Sequence, residues 1–224
     1  YPLEKTRNFG IIAHIDAGKT SLTERLLHHA GLIKRAGSVD HGDTVMDYMP
    51  EERERGITIK AACITIPFDG HHINLIDTPG HVDFTVEVER AVRVMDGAVT
   101  VVDGSAGVQA QTITVWEQAR RFGVSQMVFV NKLDKVGADY AASMTDIERR
   151  LKTPVISLTE PIYKSGELVG VYDILSQSIL FQEETILKPF EDGQKKRQAL
   201  LESVAEHDEE FMDASLEDQP QSDP

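Results

Sequence analysis

The chain has 224 residues, 41% of them hydrophobic, with 23 Lys and Arg against 37 Asp and Glu, for a formal charge of −14. That is enough apolar material for one globular domain of ordinary size with an appendage. No apolar run approaches the roughly 18–20 residues that cross a bilayer as a helix, which excludes a helical membrane span. The one cysteine, Cys63, has no internal disulfide partner, so secreted disulfide scaffolds are excluded and a reducing compartment is the default. The charge is uneven: nine of the acids fall from Glu202 onward with no Lys or Arg among them, leaving −5 for residues 1–201. Phosphate backbones reward dense Lys and Arg, so tight independent binding of nucleic acid is not expected of this chain.

Taken in order, residues 8–12 read as a buried strand and 19–30 as a helix. Residues 61–68 and 72–77 read as two strands joined at Asp69-Gly70, a strong hairpin signal. Cys63, inside the first of these, is expected to be a small core residue. Phe84, Val88, Ala91, Val92 and Met95 recur at the spacing of a helix that packs one face on a sheet. Residues 97–102 follow as strand, 110–122 as helix, 127–130 as strand, 140–151 as helix and 155–158 as strand. Helices between short, continuously apolar strands predict an α/β fold with a mostly parallel, doubly wound sheet covered on both faces.

After Leu158 the rhythm changes. Residues 161–163 and 168–172, separated by Lys164-Ser165-Gly166-Glu167, predict a hairpin. Residues 195–212 predict an amphipathic helix with Leu200, Leu201, Val204, Phe211 and Met212 inward, and 213–224 an acidic, disordered tail. The expected division is a core of 1–159, a partial α+β insert of 160–212 and the tail.

Three motifs fall at strand ends. The first is Ala13-His14-Ile15-Asp16-Ala17-Gly18-Lys19-Thr20, between the first strand and the first helix. It follows the pattern G-x-x-x-x-G-K-[ST], with Ala13 in place of the first glycine. Small residues let the loop wrap phosphates, and the helix amino terminus turns partial positive charge toward them. Lys19 reaches the β and γ oxygens, Thr20 offers its hydroxyl to Mg²⁺, and Ser21 completes the phosphate-contacting stretch. By pattern alone, a plain strand-to-helix turn stays open.

The second motif, Asp77-Thr78-Pro79-Gly80-His81, closes the third strand. Ligands of such sheets gather at the carboxyl ends of strands, which sets Asp77 beside the phosphate loop as a Mg²⁺ partner. Gly80 lets a bare amide approach the γ-phosphate, and His81, directly after it, is placed to orient an attacking water. The third motif is Asn131-Lys132-Leu133-Asp134. Guanine presents N1–H and N2–H₂ side by side, which one carboxylate accepts together, so Asp134 selects guanine. Lys132 lays its aliphatic stem across the ring and Asn131 braces the loop. Between the first two motifs, residues 31–59 form a long charged segment ending in Arg53-Glu54-Arg55-Gly56-Ile57-Thr58. A loop this long is usually functional, and Thr58 is expected to close over Mg²⁺ when the γ-phosphate is present.

Four stretches, Ala13–Thr20, Glu52–Ile59, Asp77–Phe84 and Asn131–Asp134, resemble the GTP-binding domain of elongation factor G and its relatives among translational GTPases. The resemblance runs over about residues 7–175, and the family itself carries alanine at the position of Ala13. Ser38-Val39-Asp40-His41-Gly42-Asp43-Thr44-Val45 is most similar to the mitochondrial ribosome-releasing branch. The resemblance implies GTP hydrolysis with Mg²⁺, with Thr58 and Gly80 sensing the γ-phosphate and His81 swung toward water by the large ribosomal subunit. It further implies the mitochondrial matrix, with the cytoplasm as alternative, and, for the releasing branch, the ribosome recycling factor as partner; a monomer and no membrane contact are also expected. A translocase, a non-catalytic guanine nucleotide module and an unrelated ATP-using P-loop protein are the competing readings. The fifth guanine loop of the family contains Ser-Ala. Here that pair occurs at Ser105-Ala106, ahead of Asn131, so it is not that loop, and the chain is expected to be truncated.

Overall fold

Nine strands, five α-helices and one short 3-10 helix are present in a computed structural model that describes residues 2–35, 37, 62–78, 85–180, 185–187 and 192–206. They fall in two units, Tyr1–Thr153 and Pro154–Pro224. In the first, β1 (Thr6–Ala13) leads into α1 (Lys19–His29). The strands β2 (Ala62–Phe68) and β3 (His71–Asp77) are followed by α2 (Thr85–Val92), β4 (Gly97–Asp103), α3 (Ala110–Arg121), β5 (Ser125–Asn131) and α4 (Tyr140–Leu151). The sheet order is β2-β3-β1-β4-β5. β1 runs parallel to β3 and β4, β4 runs parallel to β5, and β2 alone is antiparallel. Asp69 and Gly70, at φ 45° and 71°, make the tight β2–β3 turn that Asp-Gly favours.

Strand alternation divides the core between the two sheet faces. Ile12, Ile76 and Ala98 point to one face and pack with Val88, Ala91, Val92 and Met95 of the α2 region and Val115 and Ala119 of α3. Ile11, Ala13, Leu75 and Val101 point to the other and pack with Leu27 of α1 and Ile66. The expected doubly wound α/β fold is therefore present, with helices on both faces. Because β3 and β4 flank β1 and their connections leave on opposite faces, the crevice at the carboxyl end of β1 is where such a sheet takes a ligand.

In the second unit, β6 (Thr159–Lys164), β7 (Glu167–Asp173), β8 (Ser178–Leu180) and β9 (Thr185–Leu187) form an antiparallel sheet in chain order, followed by α5 (Gly193–Ala205). Tyr172, Ile174, Ile179 and Leu200 form its core. No helix among the described residues is long and apolar enough to cross a membrane.

Three expectations need correction. Residues 155–158 form no strand: Ile156 and Leu158 are exposed, whereas a strand inside a covered parallel sheet would bury them. Cys63 is exposed, not a core residue, because alternation in β2 turns Ile64 and Ile66 inward and Cys63 outward. In α5 the buried residues are Gly193 and Leu200, seven apart. A narrow stripe rests on the small sheet, leaving Leu201 half-buried and Val204 exposed. Phe211 and Met212 lie outside the described residues, and β8 and β9 carry no signal that the sequence reading used.

Candidate functional site

The turn after β1 is built by backbone geometry. The Ala17 amide donates to the His14 carbonyl at 3.1 Å, Asp16 sits at φ 61°, and Gly18, at φ 98°, caps α1. A side chain at Gly18 would be strained at that φ, and its Cβ would collide with the side-chain amide nitrogen of Asn131. Glycine is thus required twice, by conformation and by a neighbour more than a hundred residues away in sequence. The first amides of any α-helix lack an acceptor within the helix, which makes the amino end of α1, set at this rim of the sheet, a ready anion site.

Lys19 and Thr20 begin α1 and are both buried. The Lys19 ammonium lies 2.6 Å from Asp77 Oδ1, with side-chain exposures of 9% and 0%, which ties the phosphate loop to the carboxyl end of β3. Thr78 donates its hydroxyl to the Ile11 carbonyl at 2.8 Å and so fastens the chain leaving β3 to β1. The Asn131 amide at the end of β5 donates to the Ala17 carbonyl at 2.8 Å. Lys132 follows in the left-handed region, φ 60°, and its ammonium donates to the Asp16 carbonyl. Three motifs far apart in the chain are joined at one rim of the sheet. Ile15 and Leu133 are half-buried, while Ser21 and Asp134 are exposed, Asp134 on the loop that leaves this rim. Pro79, Gly80, His81 and Thr58 lie outside the described residues.

Two further contacts at this rim involve residues that belong to none of the three motifs. His14 Nδ1 lies 3.2 Å from Gln111 Oε1, linking the phosphate loop to α3. Asp103, the last residue of β4, stands opposite Asn131 in the β4–β5 register and pairs with Lys132 at 3.0 Å. Burial pushes the Asp103 carboxyl up, but the Ser105 hydroxyl and amide and the Lys132 ammonium outweigh it and hold the group at about 2. The rule applied to Asp77 and Asn131, that site residues sit at the carboxyl ends of strands, would have found Asp103.

A glycine-capped loop between a parallel strand and a helix, with a buried Lys-Asp pair beneath it, defines a P-loop nucleotide-binding domain. The model of the elongation factor Tu GTP binding domain matches residues 4–217, and the chain belongs to that family. It is thus a GTP-binding domain of the elongation factor Tu type. The chain is 48% identical over 231 residues to the mitochondrial ribosome-releasing factor 2 of Yarrowia lipolytica, covering 96% of this chain and 29% of that protein. It is 47% identical over 231 residues to the protein of that name from Bos taurus, covering 96% and 30%. A crystal structure from Thermus thermophilus superposes with a TM-score of 0.86 at 34% identity, over 96% of this chain and 33% of that one. The chain thus spans about 30% of the length of these curated relatives.

Proposed function

We propose that this chain is the GTP-hydrolysing switch of a mitochondrial ribosome-releasing factor, which separates ribosomal subunits after translation together with the ribosome recycling factor. The observation that carries the reading is the junction of Lys19, Asp77, Asn131 and Lys132 at one sheet rim. In it, Lys19 and the first amides of α1, with Ser21, hold the phosphates, and Asp134 accepts N1–H and N2–H₂ of guanine beside the stem of Lys132. Among the described residues no three His, Cys, Asp or Glu gather into a self-sufficient metal site. A hydroxyl and a carboxylate completed by phosphate oxygens suit Mg²⁺, and Thr20, Asp77 and Thr58 are its proposed partners. Bound there, the ion would neutralise charge on the β and γ oxygens. Gly80 and Thr58 sense the γ-phosphate, and His81 orients the water when the large ribosomal subunit engages. Shared identity with relatives named for ribosome release favours the mitochondrial branch over a translocase.

The test is single-turnover GTP hydrolysis by the chain alone, with mitochondrial ribosomes and with bacterial ribosomes. Stimulation by mitochondrial ribosomes supports the reading. Binding of GDP without any stimulated turnover would reduce the chain to a nucleotide-holding module.

A further inference from the structure

Asp103 uses its two carboxylate oxygens separately. Oδ1 accepts from the Ser105 amide at 2.9 Å and the Ser105 hydroxyl at 2.6 Å, which fixes the carboxylate over its own turn. That turn is closed by the Gly107 amide on the Asp103 carbonyl at 2.8 Å. Oδ2 is left to face the Lys132 ammonium at 3.0 Å, and the two side chains are only 15% and 21% exposed. A lysine stem carries large rotamer freedom, and an ammonium held by the neutral Asp16 carbonyl alone is held weakly. A carboxylate that is itself immobilised adds a charge-assisted bond, and it is built into the end of β4 rather than into the phosphate loop.

We propose that Asp103 is a positioning residue for guanine nucleotide binding: pinned by Ser105, it holds the Lys132 ammonium against the Asp16 carbonyl and thereby presents the lysine stem to the base. The inference rests on the reading of Lys132 as a base-contacting residue. Its consequence is that base affinity depends on a residue that touches no nucleotide, through a lever running from β4 across β5 to the phosphate loop.

The experiment titrates the full chain with a fluorescent GDP analogue. Asp103→Asn, Lys132→Met and the double variant are compared with the parent, with folding checked by circular dichroism. Asp103→Asn is expected to weaken binding about tenfold, mostly through faster dissociation, and to change nothing further once Lys132 is methionine, as a coupled pair requires. Ser105→Ala keeps the charge and the amide bond but removes the hydroxyl half of the anchorage; it is expected to lose a few-fold and serves as the test if Asp103→Asn does not fold. Unchanged affinity in the folded Asp103→Asn variant overturns the inference. So does a tenfold loss that persists on top of Lys132→Met, since Asp103 would then act only as a structural part of its turn. A parent chain that binds no GDP overturns the nucleotide reading itself, and this inference with it.

Discussion

Replacing Lys19 with methionine separates the two roles of this side chain. The Lys19–Asp77 pair is 2.6 Å apart with the carboxylate fully buried. At an effective dielectric constant near 20, two unit charges at that separation attract by about 6 kcal/mol, most of which offsets the cost of desolvating them. Removing the ammonium leaves a buried carboxylate without that counter-charge, a change that typically costs about 3–5 kcal/mol. For a unit of this size each kcal/mol moves the melting temperature by roughly 2–4 °C, so Lys19→Met should melt at least about 6 °C below the parent without nucleotide. Lys19→Met/Asp77→Asn removes the stranded charge and should recover most of that loss while nucleotide affinity stays low, because the phosphates still lack their ammonium. Thermal unfolding followed by circular dichroism, with GDP titrations of the same samples, reads both effects. If Lys19→Met melts with the parent, or the double variant melts lower still, the pair is not the structural link described here.

Asp134→Asn should weaken GTP and favour xanthosine triphosphate, since a paired acceptor becomes one acceptor and one donor; competition binding measures it, and equal GTP affinity would contradict the placement of the base. His81→Ala should keep GTP binding and lower ribosome-stimulated turnover by roughly 10² to 10⁴, read by single-turnover hydrolysis. The Asp103 carboxyl is held at about 2 in the folded chain, below its ordinary 3.8. Its stabilising contribution is therefore complete above pH 4 and is lost as the pH falls toward 2. Acid unfolding of Asp103→Asn should show a shallower pH dependence across that window than the parent.

The first unit was legible because its signals are local. Continuous apolar runs such as residues 97–102, the Asp69-Gly70 turn and the helical stripe of Val88, Ala91, Val92 and Met95 each need only a few neighbouring residues to be read. Residues 155–158 failed because four apolar-rich residues do not show whether a neighbouring strand exists to pair with. β8 and β9, three residues each, are too short for period-two alternation to register. The outward turn of Cys63 is not legible locally, because membership in a strand does not say which face a residue takes. The phosphate and guanine motifs were visible as spacing, whereas Gln111 and Asp103 lie in no motif and become relevant only through the atoms they meet.

By itself the sequence determined what short-range sterics and periodicity control: which segments extend or coil, where the chain must turn, and which side chains are chemically fit for phosphate, metal or base. It did not determine who meets whom. Lys19 reaches Asp77 across 58 positions and Lys132 reaches Asp16 across 116, because the order β2-β3-β1-β4-β5 sets the ends of β3, β1, β4 and β5 side by side. That adjacency follows from burying two apolar sheet faces under helices at once, a requirement of the whole folded unit that no local stretch contains.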